Sequence, residues 1–375
     1  MELIVSQAEF SRALTACGRA VPSRASHPIL TNVLLKAEEG SLILTGFDLN
    51  LGIETKILAQ VGQPGSTAVN YKLLHEIVSK LPSDSPVSLS LEEERFTISS
   101  LSGNYELSAS DPIDFPDFPV IQGDSILLPA AELNKITSSV SFCCSTDEAK
   151  QILMGVNIKT IGNTIRCAAT DGHRLGVAAF AVPSDKINAL ADLDLTIPIA
   201  PMKEIAGLSD EEISITPSKF RDQLIIKSGA TTITTRSFAG AYPNVEQLIP
   251  KSFTTSVIID RKAFALSLGR VGTIAAMASN GSNAVRIAFN DEQGMMSIRA
   301  DADGGKASEQ LAMDLEGKPL EIAFNVKYLT DAVKALKCER IVLSCNTPVT
   351  PAVITDSDSD DNLSTYLIMP IQVKQ

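Results

Sequence analysis

Three stretches of the chain share one layout. Residues 29–48 read ILTNVLLKAEEGSLILTGFD, residues 152–171 read ILMGVNIKTIGNTIRCAATD, and residues 282–301 read SNAVRIAFNDEQGMMSIRAD. Each is an apolar strand, a turn carrying Gly or Asn, and a second strand that ends in Asp48, Asp171 or Asp301. Alternating apolar residues around such turns predict hairpins. A helical pattern precedes each hairpin, starting near residues 8, 130 and 261, and another follows it, at 69–81, 199–208 and 324–337. Lys72, Lys203 and Lys327 occupy the same place in the three following helices. The period is about 125 residues. So long a period indicates duplicated domains rather than a solenoid of short repeats. The expected fold class is α+β, with two helices and many short strands per copy. Pro-rich or polar stretches at 114–125 and 243–252 set the expected boundaries, giving copies at 1–123, 124–251 and 252–375.

Charge is unevenly spread along this repeat. The whole chain carries a formal −12, which taken alone speaks against anionic partners. On the six helical windows, however, twelve basic residues face six acidic ones, so the remainder carries −18. Six repeat-related helices that lean basic predict a shared positive surface, although any one of them could simply be a solvated face. Such a surface reads phosphates rather than bases. No basic region, zinc-finger pattern or aromatic ribonucleoprotein motif is present to read sequence. Trp is absent, which leaves few platforms for stacking single-stranded bases.

The segment beginning MELIVSQAEF does not read as a signal peptide, and no apolar run approaches a membrane helix. The six cysteines form no C-x-x-C, so they are expected to be reduced, mostly buried and not zinc ligands. Metals and cofactors are not expected.

The segment 168–180, AATDGHRLGVAAF, looks the most chemical, with Asp171, His173 and Arg174 close together and only three histidines in the chain. A hydrolase would need a placed nucleophile, and no G-x-S-x-G occurs. GGKAS at 304–308 lacks the spacing of a phosphate-binding loop. His27 and His75 read as ordinary surface or loop residues. An adaptor that binds only peptides is the competing non-enzymatic reading, and the basic helices speak against it.

PILTNVLL (28–35), LTGFDLNL (44–51), ATDGHRLGV (169–177), AYPNVEQLIPK (241–251), FNVKYLTDAVKALKC (324–338) and YLIMPI (366–371) follow in this order. Together they resemble the bacterial DNA polymerase III β subunits, the sliding clamps, over the whole chain. The resemblance implies three similar domains, each with two helices inside and sheets outside, and a head-to-tail ring dimer whose helices line a channel for duplex DNA. It implies a non-catalytic accessory subunit of a DNA-directed DNA polymerase, cytoplasmic and nucleoid-associated during replication. Its implied partners are the clamp loader, the replicative polymerase catalytic subunit, translesion polymerases, ligase and mismatch-repair proteins.

The resemblance also assigns residues. Leu153, Thr170, Gly172, His173, Arg174, Leu175, Pro243, Leu248, Leu367 and Met369 would form the deep part of a peptide pocket, and Asn325, Tyr328, Val349, Pro370 and Ile371 a shallower groove. Arg24, Lys72, Lys80, Lys135, Lys203, Arg270, Lys327 and Lys334 would face DNA. Tyr105 and Leu107 would meet Ile274 and Met277 across the subunit interface. This chain departs from the family at Gln247 and Gln372, where many clamps have a basic residue, and at Pro351, which replaces a small polar one. It carries an insertion in GTIAAMASNGSN and extends to Val373, Lys374 and Gln375.

Overall fold

The structure is a computed structural model that describes residues 1–119, 125–183, 187, 190, 193–208, 211–218, 223–279, 281–290, 294–357 and 364–372. The terminal extension 373–375 lies outside the described residues. Helices form where the repeat predicts them: α1 (Gln7–Cys17), α2 (Tyr71–Val78), α3 (Ala130–Val140), α4 (Ile199–Ala206), α5 (Arg261–Ala275) and α6 (Val326–Ala335). Three start on a side-chain cap. The Oδ1 atoms of Asn70, Asp260 and Asn325 accept backbone N–H groups from Leu73 (3.1 Å), Ala263 (2.6 Å) and Lys327 (2.9 Å). Caps of this kind are each worth about 1 kcal/mol.

The first copy supplies β1 (Glu2–Ser6), β2 (Asn32–Glu38), β3 (Ser41–Phe47), β4 (Leu51–Leu58), β5 (Gln60–Gln63), β6 (Gly65–Asn70), β7 (Pro86–Glu92), β8 (Arg95–Ser100) and β9 (Gly103–Ser110). The second supplies β10 (Ile126–Pro129), β11 (Gly155–Ile161), β12 (Thr164–Thr170), β13 (Arg174–Ala181), β14 (Asp194–Pro198), β15 (Glu212–Pro217), β16 (Gln223–Ser228) and β17 (Thr231–Arg236). The third supplies β18 (Thr255–Asp260), β19 (Ala284–Asn290), β20 (Met295–Ala302), β21 (Gly305–Gly317), β22 (Leu320–Asn325), β23 (Arg340–Cys345), β24 (Ala352–Asp356) and β25 (Ser364–Ile368).

The chain groups into two compact units, Met1–Ala131 with Gly207–Ser237, and Glu132–Ala206 with Phe238–Gln375. This grouping cuts through the middle copy. In the first unit β17 pairs antiparallel with β4, so β10 and β15–β17 extend the first copy's strands into one sheet of 13. In the second, β13 pairs antiparallel with β25, so β11–β14 extend the third copy's strands into a sheet of 12. Backbone hydrogen bonding crosses the copy boundaries and ties each half of the middle copy to a neighbour.

All three predicted hairpins form: β2–β3, β11–β12 and β19–β20. Asp48 and Asp171 stand just after the second strand, as expected. Asp301 differs, because it lies inside β20 and faces Lys306 across the tight turn into β21.

Within each unit apolar helix faces cover the sheets. Phe10 and Leu14 of α1 are fully buried in the first unit. Phe264, Leu268 and Val271 of α5 join Leu329 and Val333 of α6 in the core of the second. Each such side chain contributes roughly 1.5–3 kcal/mol. Gly18, at the end of α1, allows close approach of α2, since a Cβ there would fall 1.9 Å from the Tyr71 ring. His75 is therefore not a plain surface residue. It is half-buried, packs its ring tilted against Tyr71 with ring centres 5.4 Å apart and shares a 3.2 Å hydrogen bond with Thr15 Oγ1, whereas His27 is exposed. All six cysteines are free; five are buried and Cys338 is half-buried. No described helix is long and apolar enough to cross a membrane.

Candidate peptide-binding site

The second unit brings the ATDGHRL segment together with the chain's closing strand. Residues 171–173 form the turn between β12 and β13. The Asp171 carboxylate builds this turn: Oδ1 accepts N–H groups from His173 (2.8 Å) and Arg174 (3.0 Å). Gly172 sits at φ +92°, which L side chains rarely adopt. Thr170 closes the turn, donating its hydroxyl to the Arg174 carbonyl at 2.6 Å.

Arg174 is the hub, and its side chain is only 10% exposed. Nε donates to Asp171 Oδ2 (3.0 Å), Nη1 to Asp331 Oδ2 (2.6 Å) and Nη2 to the Phe142 carbonyl (2.6 Å). The guanidinium also lies 4.6 Å from the Tyr328 ring centre and 5.4 Å from that of Phe142. Burial works against its charge, but the hydrogen bond to Asp331 and the field of Asp171 outweigh burial and raise its pKa. His173 is exposed and stacks on Tyr328 with ring centres 6.4 Å apart. Asp171 thus binds the His173 backbone and the Arg174 side chain rather than orienting the imidazole, which is not the arrangement of a catalytic triad.

Beneath the turn Leu175 and Leu367 pair across β13 and β25 and are buried with Ala168, Val245 and Val353. The Met369 N–H extends the ladder by donating to the His173 carbonyl at 2.8 Å. Met369 (37%), Leu248 (48%) and Val349 (57%), each a few residues along the chain from a member of this floor, are exposed. The result is an apolar floor with a polar hub at one end, a pattern suited to an extended peptide with apolar anchors.

Other expected residues have local duties. Leu153 is half-buried and its carbonyl accepts the Ser145 N–H at 2.8 Å. Asn325 caps α6. Pro370 and Ile371 are half-buried, and the Ile371 N–H donates to the Ala323 carbonyl at 2.8 Å. Pro351 is half-buried, while Pro243, Gln247 and Gln372 are exposed. Sequence reasoning missed Phe142, Tyr242, Val245, Val353 and Asp331. Tyr242, Val245 and Asp331 lay inside quoted motifs, but Phe142 carried no signal.

The expected DNA-facing residues are exposed on their own units: Arg24, Lys72 and Lys80 on the first, and Lys135, Lys203, Lys327 and Lys334 on the second. Arg270 is exposed too, yet Glu309 holds it at 2.7 Å through two parallel hydrogen bonds. Arg261 donates Nε to the Cys338 carbonyl at 2.7 Å.

At the expected interface Tyr105 and Leu107 are half-buried on β9, whose described residues 103–108 pair with β8 alone. Residues 305–312 of β21 likewise pair only with β20. Ile274 and Met277 pack beside the start of β21, since a Cβ at Gly304 would lie 3.1 Å from the Met277 sulfur. The first unit also has a cavity of about 470 Å³ lined by Ile4, Leu58, Glu9 and Asp84 among others, and none of the expected peptide-pocket, DNA-facing or interface residues lines it.

Three domain models of the DNA polymerase III beta subunit match the chain: the N-terminal domain at residues 1–119, the central domain at 127–244 and the C-terminal domain at 246–372. The chain belongs to the DNA polymerase III beta subunit family. It is similar to the beta sliding clamp of Synechococcus elongatus, at 38% identity with both chains fully covered, and to that of Synechocystis sp., at 36% with both fully covered. Among solved structures, the Bacillus subtilis DNA polymerase sliding clamp superimposes with a TM-score of 0.93 at 26% identity over all of both chains. The Bartonella birtlesii sliding clamp bound to griselimycin gives 0.91 at 29%, again over all of both chains. The protein is a DNA sliding clamp, a processivity factor for replication and an accessory subunit without a catalytic step of its own.

Proposed function

We propose that two copies close head to tail into a ring around duplex DNA, with the helices of three clamp domains (1–123, 124–251 and 252–375) toward the channel. Two open strand edges carry the ring reading. Among the described residues, 103–108 of β9 and 305–312 of β21 each have one unpaired side, and they lie on different units of the chain. An unpaired edge is a template for another strand. Pairing β9 of one copy with β21 of the next would satisfy both and bring Tyr105 and Leu107 to Ile274 and Met277. The exposed lysines Lys72, Lys80, Lys135, Lys203, Lys327 and Lys334 then meet phosphate without reading bases. Arg24 joins them, while Arg270 contributes less because Glu309 already neutralises it.

The pocket around Leu175, Leu367 and Met369 tethers the replicative polymerase catalytic subunit and the clamp loader through short apolar peptides. Translesion polymerases, ligase and mismatch-repair proteins use the same place, in the bacterial cytoplasm at the nucleoid. A ring holds DNA by enclosure, so the protein, once loaded, stays on nicked circular DNA and leaves after the circle is cut. Equal retention on circle and line, or a monomer in sedimentation at working concentration, overturns the ring.

A further inference from the structure

One wall of the pocket is a loop, and two side-chain bonds fasten it to the sheet. Near its start Tyr242 Oη accepts the Thr170 N–H at 3.0 Å. Further along, Glu246 sits in the short helical turn Val245–Gln247, immediately before the exposed Leu248. Its Oε1 accepts from Arg166 Nη1 at 2.9 Å. Arg166 lies on β12 and is only 12% exposed, whereas Glu246 is 64% exposed. A second strand supports the arginine, because Nη2 reaches Asn157 Oδ1 at 3.4 Å and Asn157 in turn bonds Asp194 at 2.9 Å. Arg166 Nε is buried with no hydrogen-bond partner among the described residues.

We propose that the Arg166–Glu246 pair is a latch that holds residues 242–248 as a preformed wall of the peptide pocket, making Arg166 and Glu246 positioning residues for peptide binding. The proposal rests on the peptide-pocket reading above. An exposed ion pair on its own is worth little. This one is asymmetric: removing Glu246 strips the carboxylate from a mostly buried guanidinium, while the loop loses its anchor to β12. The wall then has to be ordered when the peptide arrives, and that cost appears as weaker binding. Gln247, beside it, adds no charge that could take over the role.

The test uses the full-length protein and a fluorescent hexapeptide ending in Leu-Phe. The chain has no tryptophan, so Gln247→Trp installs a single reporter beside the latch. Glu246→Ala is expected to raise the peptide Kd about tenfold, mainly through faster dissociation, which corresponds to about 1.4 kcal/mol. Reporter anisotropy falls in the peptide-free protein, while the melting temperature changes little. Glu246→Asp restores part of the affinity, as a general packing role would not require. Unchanged affinity and anisotropy in Glu246→Ala, with binding lost in Met369→Asp, overturn the latch and leave the pocket standing. A Met369→Asp protein that binds like the parent overturns the pocket reading, and the latch falls with it.

Discussion

The turn after β3 and the turn after β12 are two versions of one structure, and only the second lies at the apolar floor of the proposed pocket. In both, an aspartate ends the hairpin and its Oδ1 accepts the N–H groups two and three residues on, from Asn50 (2.8 Å) and Leu51 (2.6 Å) in the first copy and from His173 (2.8 Å) and Arg174 (3.0 Å) in the second. In both, the next residue has positive φ: Leu49 at +76° and Gly172 at +92°. In both, a glycine in the strand after the turn meets large neighbours. A Cβ at Gly52 would lie 2.8 Å from the Phe118 ring and 2.7 Å from Thr234, and one at Gly176 would lie 3.1 Å from Cys143 Sγ and 3.4 Å from the Tyr366 ring.

The difference lies in what surrounds the turn. Both turns leave three residues between their strands, 48–50 and 171–173, but the residue that follows is Leu51 in the first copy and the Arg174 hub in the second. The strand alongside it offers Leu367 opposite Leu175, where the first copy has Thr234 opposite Gly52. In the first copy Phe118 packs 6.2 Å from Phe47, so the chain's own aromatics occupy the place. A turn motif therefore does not make a site. An apolar floor left uncovered does.

The sharpest way to break this contrast is Met369→Asp. Burying a peptide Leu or Phe is worth roughly 1.5–3 kcal/mol, and an unpaired carboxylate in its path costs several more. Calorimetry is expected to find no peptide binding, while Leu49→Asp, at the first-copy turn, leaves affinity unchanged. Both variants should remain folded in melting curves.

Backbone exchange comes next. An L residue in the left-handed region costs roughly 1–2 kcal/mol. Gly172→Leu should lower stability by about that amount and weaken the peptide several-fold. Leu49→Gly should gain slightly in a thermal melt, because relief of strain exceeds the entropy cost of glycine, roughly 0.5–1 kcal/mol. His173→Ala removes one stacking contact with Tyr328 and should cost about 1 kcal/mol in peptide affinity, with no turnover lost.

The smallest effect concerns the thiols near the two turns. Burial pushes Cys17 and Cys144 up to about 12, so both should resist alkylation at pH 8 in the folded protein. Their folded pKa lies above the ordinary 9.0, so this contribution to stability is complete below pH 9.0 and is lost as pH rises toward 12. Urea melts at pH 7 and 10 would check the sign.

The repeat was legible because apolar periodicity and turn chemistry act locally. The helices and hairpins follow from residues a few positions apart, and even Asn70, Asp260 and Asn325 stand where caps are needed. Arg174 was legible as a pocket residue only by resemblance. Its partners Asp331 and Phe142 come from distant elements, and no local pattern names them. Asp301 resembled the other two aspartates in spacing, yet the tight turn into β21 gives it a different job. The division of the middle copy was hidden for the same reason, since strand pairing between β4 and β17, or β13 and β25, leaves no trace in either strand alone.

The β13–β25 pairing also sets a clock. Leu175 and Leu367 meet in the floor of the proposed pocket although 192 positions separate them (367 − 175). A ribosome adding about 5–20 residues per second needs on the order of 10–40 s to cover that distance. Until then β13 has no neighbour on that side and the floor does not exist. A nascent or prematurely terminated chain can therefore complete its first hairpins before the floor of the proposed pocket exists, and that floor forms only once β25 has left the ribosome.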